Sequence, residues 1–353
     1  MTDRRRINGP LGGTAPLVFT SAVAQTSRPK RPERTRASNE LRKIFLRTGL
    51  TPSASGSAYL ELNNTSKTST ATSLNSPSSN LKITCTVHGP RPLPRSAPFS
   101  PNIVLSTHVK YAPFATRQRR GYLRDTTERD LAVHLESALK GVIIADRWPK
   151  SGVDIIVTIL EGEEDGWEGD GTYCSGLKTG GIIGGWGTMT VLAGCITASC
   201  AALVNARIDC LDLICGGVAA VVDSSDAKEK GSMKDYQSLS SALPPNLSIV
   251  LDPNPVEHPR ILAACVVGYM ETRDEMTELW SRGNIPDVST TAGQLMATEE
   301  LIDHAIECAK GVNSVLKEAV KESAQAALIR ANCEKEPSTI LNKPLPLDIA
   351  MQG

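Results

Sequence analysis

The densest concentration of reactive side chains in this sequence is KYAPFATRQRRGYLRDTTERD, residues 110–130. It holds Lys110 and five arginines, Arg117, Arg119, Arg120, Arg124 and Arg129, within about one loop length and just before a helix-start pattern. Guanidinium groups on a loop held by rigid flanks grip a phosphate backbone without reading bases. The same charges also fit a solvated loop whose arginines pair with nearby acids. The chain carries 38 basic and 38 acidic residues and is formally neutral, so the positive charge is local.

Other residue types that do chemistry are dispersed. His88, His108, His134, His258 and His304 are scattered and imply no Ser-His-Asp or Cys-His set. Gly180, Gly181, Gly184 and Gly185 form a glycine-rich run without the lysine of a P-loop. Nine cysteines invite a metal or disulfide reading, but their spacing argues against it. Cys195 and Cys200, like Cys210 and Cys215, have four residues between them inside apolar runs, with no CxxC or Cys–His cluster nearby. They read as reduced core thiols of a cytosolic or nuclear protein. No metal and no cofactor is expected.

The elements that must position these residues follow from composition and period. A length of 353 residues fits one large or two medium domains, and with 4% aromatics the core must be built from Val, Ile, Leu and Ala. No signal-peptide pattern is predicted, and no apolar run reaching the roughly 18 residues of a bilayer span, so no membrane partner is expected. Residues 1–38, rich in Arg, Pro, Ser, Thr and Gly, read as a disordered basic tail. Structure is expected from residue 39 to 335, with a flexible tail at 336–353. Strands are predicted at 57–62, 81–87 and 102–111, with a low-complexity insert at 63–80 that closes cheaply. Thr127 and Asp130 fit a capping pattern, followed by a helix with Leu131, Leu135, Ala138, Leu139 and Val142 on one face. A strand at 153–160 precedes a glycine-rich insert at 161–187. The second half reads as a buried helix at 189–206 and a strand at 211–222 bent at Gly216-Gly217. Strands at 247–251 and 261–271 follow, then a long amphipathic helix from 297 to about 330. This order predicts a pseudo-duplicated α+β fold with helices packed between or against sheets.

Several segments resemble one family in order. GSAYLEL, KITCTVHGP, the strand ending in KYAPFATRQRRG, and ERDLAVHLESALKGVI resemble the first half of the RNase PH family. GCITASCAALVNARIDCLDLICGGVAAVVD resembles the helix-then-strand block of its second half. The resemblance covers roughly residues 39–330. It implies an RNase PH-like fold of mixed sheets with packed helices and a long C-terminal helix. The family cuts RNA from its 3′ end with phosphate as the attacking group.

The resemblance also locates the family's chemical parts. Its Gly-Thr-Arg-Thr turn, which holds phosphate at a helix start, matches Gly187-Thr188-Met189-Thr190, where a thioether replaces the guanidinium. No arginine lies between Arg147 and Arg207. The family's second arginine falls at about Thr127, with Arg124 and Arg129 close but out of register. Its catalytic aspartates fall on His258 and Ala264, six residues apart, with Asp252 and Glu257 near and Pro253, Pro255 and Pro259 reshaping the loop. The resemblance therefore implies a chain without phosphorolytic activity, serving as a structural and RNA-path subunit of a eukaryotic exosome core ring. The alternative is an active phosphate-dependent 3′-5′ exoribonuclease. The implied partners are other RNase PH-like ring subunits, RNA-binding cap subunits and RNA, in the nucleus, nucleolus and cytoplasm. Lys110, Arg117, Arg119, Arg120 and Arg124 are the candidate RNA contacts.

Overall fold

The structure, a computed structural model, describes residues 34–63, 80–116, 119–163, 185–223, 247–258, 260–285 and 291–335, with single positions 32 and 244. Arg117, the low-complexity insert, most of the glycine-rich insert and both tails therefore lie outside the described residues, apart from 32 and 34–38.

The first half builds a five-stranded sheet. Its strands are β1 (Lys43–Thr48), β2 (Gly56–Asn63), β3 (Leu81–Pro92), β4 (Val104–Tyr111) and β5 (Ser151–Glu161), in the order β1-β2-β3-β5-β4. Strict alternation explains it: Leu60 and Leu62, Ile83, Cys85 and Val87, and Ile155, Val157 and Ile159 point inward, while Tyr59, Glu61, Lys82 and Thr84 face out. β4 and β5 pair in parallel and are joined by helix α1 (Thr126–Lys140), the crossover that parallel pairing requires. The helix starts earlier than the predicted cap. Asp125 is the N-cap and Glu128 the residue that reaches back to it, a complete capping box two residues ahead of Thr127 and Asp130.

The second half contributes α2 (Gly187–Asn205), β6 (Ile214–Asp223), β7 (Leu247–Leu251), β8 (Ile261–Met270), β9 (Glu275–Gly283) and α3 (Thr291–Lys335). The strands form an antiparallel sheet in the order β7-β6-β8-β9. α2 packs on β2 and β3 from one side and on β6 and β8 from the other, and α3 covers the far face of β6 and β8. The layers are thus sheet, helix, sheet, helix. A helix between two sheets must be apolar all round. Here the sequence reading needs a correction: α2, at 19 residues, is long and apolar enough to cross a bilayer, but 94% of that window is buried in the core.

Three further differences from the sequence reading have simple causes. β1 escapes an apolar-run search because Lys43 and Arg47 flank its hydrophobic centre. β9 escapes it because an edge strand with mostly exposed residues carries a polar sequence. Gly216-Gly217 lies inside β6 in regular register with Gly268 and Val267 of β8, and its function is close approach. A Cβ on Gly216 would sit 2.4 Å from Ala193 Cα of α2, and one on Gly217 would sit 2.1 Å from the Ala305 carbonyl of α3. The described cysteines are free and mostly buried. Burial pushes the thiols of Cys85, Cys200, Cys265 and Cys308 up to about 12, which makes them poor nucleophiles.

Candidate functional site

The segment matching the family's acid loop connects β7 to β8. Residues 252–258 are buried throughout. Pro253 and Pro255 leave few conformations open, and Asn254 organises the turn: its side-chain carbonyl accepts from the Val256 amide at 3.0 Å, and its backbone carbonyl accepts from Glu257. Asp252 adopts φ 48, the left-handed region, which Asp tolerates better than most residues. That conformation aims its carboxylate at Arg42, just ahead of β1.

Arg42 fills the centre of the site. Its Nε donates to Asp252 Oδ2 at 2.8 Å, its Nη2 to Oδ1 at 2.6 Å and its backbone amide to Oδ2 at 3.1 Å. Its Nη1 pairs with Glu163, and the side chains of both residues are fully buried. Arg36 adds a second layer, with Nη1 3.4 Å from Asp252 and Nη2 3.1 Å from Glu257. Arg34 donates to the carbonyls of Leu251 at 3.1 Å and Ala37 at 2.8 Å. Residues 34–42 are therefore a strap laid on the acid loop, although the sequence reading assigns residues up to 38 to the tail. Burial alone would raise the Asp252 carboxyl. The Arg42 guanidinium overcomes this and holds it well below the usual carboxylate range. For Glu163 burial wins over Arg42 and raises the carboxyl to about 7.

The matched phosphate turn lies beside this cluster, where the Thr190 hydroxyl donates to the Pro253 carbonyl at 3.4 Å. Its backbone is already spent. The Thr188 and Met189 amides donate to Gly185 and Trp186 carbonyls at 3.2 Å, and the Thr188 hydroxyl donates to Gly185 at 2.6 Å. Met189 is fully buried, and its thioether belongs to the core. Of the two positions matched to catalytic aspartates, His258 lies in the buried turn, and Ala264 is a buried β8 residue paired with Ala220 and Arg282. Neither supplies a carboxylate.

The arginine loop joins the same neighbourhood. Gly162 donates to the Ala115 carbonyl at 2.8 Å, and a Cβ at position 162 would stand 2.9 Å from the Tyr111 ring. The loop divides the predicted RNA contacts into two kinds. Lys110 is structural: its ammonium bridges the Gly121 and Leu123 carbonyls and Glu128, each at 3.1 Å. Arg120 is likewise held, stacked 4.7 Å over Tyr111 and 3.5 Å from Asp125. Arg119 and Arg124 are exposed. The sequence reading named neither Arg36, Arg42 nor Glu163. One signal was available: Arg42 is a lone charge beside the apolar Leu41 and close to Ile44-Phe45-Leu46.

Comparison with known proteins identifies relatives of the chain. Residues 40–209 match domain 1 of the 3′ exoribonuclease family, RNase PH. The chain is 51% identical to exosome complex component MTR3 of Chaetomium thermophilum, over 92% of this chain and 99% of that protein. It is 26% identical to exosome complex component MTR3 of Homo sapiens, over 80% of this chain and 83% of that protein. Among solved structures, rice (Oryza sativa) Rrp46 superposes with a TM-score of 0.53 at 14% identity, covering 81% of this chain and 98% of that one, a likeness of fold.

Proposed function

The chain belongs to the 3′ exoribonuclease family, RNase PH, and from that premise we propose that it is a non-catalytic ring subunit of an exosome core. It supports 3′-to-5′ RNA processing and degradation carried out by associated nucleases. Its RNase PH-like domain includes the strap and runs from residue 34 to 335, between a basic tail and a second tail at 336–353. Its partners are other RNase PH-like subunits, RNA-binding cap subunits and the RNA passing through the ring. The nucleus, nucleolus and cytoplasm are its compartments.

The observation that carries the loss of catalysis is the Arg42–Asp252–Glu163 cluster. Phosphorolysis needs cations free to hold an attacking anion and carboxylates free to hold a metal or move a proton. Here the carboxylates nearest the matched positions are neutralised by the chain's own guanidinium, and the helix-start amides close on their own turn. The purified chain, alone or in its ring, is expected to release no nucleoside diphosphate from 3′-hydroxyl RNA with Mg²⁺ and phosphate. Release above a control without protein, from rings whose other subunits carry no active site, overturns this reading.

A further inference from the structure

We propose that the chain's own C-terminal segment docks back into an apolar groove between α2 and α3, with Asp348 set against Arg207. The groove is built wholly of described residues, and its occupant is the chain that follows Lys335. This goes beyond the ring-subunit reading and does not depend on it.

The groove has a volume of about 460 Å³. One wall is α3, where Val320, Ser323, Ala324, Ala327 and Leu328 recur at the spacing of one helix face. Upstream the same face is buried, at Val312, Leu316 and Ala319. Further on it runs clear of the domain, and Leu328 and Ile329 are 64% and 63% exposed. Ala201 and Val204 of α2, Thr48 of β1 and Arg207 line the groove as well. Asn205 fixes that side by accepting from the Ser57 amide at 3.1 Å. Arg207 is the one charged residue in the lining. It is exposed, and its guanidinium has no hydrogen-bond or ion-pair partner among the described residues.

The sequence beyond α3 complements each of these features. In KPLPLDIA, residues 343–350, Leu345, Leu347 and Ile349 alternate with Pro344, Pro346 and Asp348. In an extended chain this alternation puts three apolar side chains on one side and the carboxylate on the other. The prolines favour that extended form, so less freedom is lost on docking. Asp348 is the only acid after Glu336, and it supplies the counter-charge that Arg207 lacks. Reach is sufficient. α3 rises about 1.5 Å per residue, so Ala324 lies about 16 Å back from Lys335, whereas residues 336–345 can span about 33 Å.

The test uses the assembled complex with this chain ended at Lys335 and a fluorescent synthetic peptide of residues 336–353. The peptide should bind saturably, and Leu345→Ser with Leu347→Ser should weaken its binding roughly ten-fold or more. Arg207→Glu in the complex should weaken the native peptide about three-fold, and Asp348→Lys in the peptide should restore that loss. In the full-length chain, a benzophenone side chain at position 347 should cross-link to α3 between Val320 and Leu328, or to the end of α2, in the same chain. Arg207 is exposed and the leucines lie beyond α3, so these substitutions leave the fold intact. Absence of peptide binding, or binding unchanged by either set of substitutions, overturns the proposal. Cross-links that form only to a neighbouring subunit overturn it too.

Discussion

Arg42 has its guanidinium fully buried between two carboxylates, and such a group cannot be removed from one side only. Replacing it with methionine leaves Asp252 without its main counter-charge in a dry site, a change that costs about 3–5 kcal/mol. A large drop in the urea midpoint of the assembled Arg42→Met protein is the expected result. Glu163 should behave differently. Burial lifts its carboxyl from 4.5 to about 7, so the native state binds its proton more tightly than the unfolded chain does. Its contribution to stability therefore falls as pH rises between those two values, and Glu163→Gln should remove that part of the slope. Asp252 has the opposite sign: its carboxyl is depressed, so it stabilises above the ordinary Asp range and the benefit is lost as pH falls below it. None of this could be read from the sequence. Arg42 lies more than a hundred positions in sequence from either carboxylate, and only folding brings the three together. The absence of an arginine between Arg147 and Arg207, by contrast, can be read directly from the sequence.

At the level of elements, the legible parts were those with strong periodicity. α1, α3 and the inner strands of the first sheet declare themselves by period, α2 and the strands of the second sheet by unbroken apolar runs, and the resemblance puts them in order. β1 and β9 did not, because charged and exposed residues interrupt their apolar pattern, whereas β4 and β7, edges too, carry enough apolar residues to be read. The paired glycines of β6 were read as a bend because a sequence does not show what packs above and below a strand. The structure assigns each one a helix. Gly217→Ala should thus be far more damaging than a typical glycine-to-alanine change, since its Cβ would stand 2.1 Å from the Ala305 carbonyl and the backbone of α3 would have to retreat. Loss of soluble protein, or a fall in stability of several kcal/mol on thermal unfolding, is the expected outcome. An exposed glycine such as Gly121, with nothing within 4 Å of its Cβ, should accept the same change without loss.

At the scale of the whole molecule, the described residues leave apolar surface exposed. β9 is an open edge with Met276 and Leu279 exposed, β1 is another with Phe45, and Val133 stands out from α1. Open edges beside exposed apolar side chains are liabilities in a free monomer and assets in a ring. Expressed alone, the chain should aggregate at micromolar concentration, and co-expression with an RNase PH-like partner should rescue it. A stable monomer in analytical ultracentrifugation would count against obligate assembly.

The strap on the acid loop also bears on descent. A catalytic site that loses one side chain can regain it by one reversion. Here Arg42 lies across the space between the acid loop and Glu163, and the Met189 amide already has a partner in its own turn. Putting arginine back at position 189 would force a second guanidinium into a closed core and restore no open anion site. Under the proposed non-catalytic reading, a change at one of these positions leaves the others closed, so a single substitution is not enough to open an anion site here.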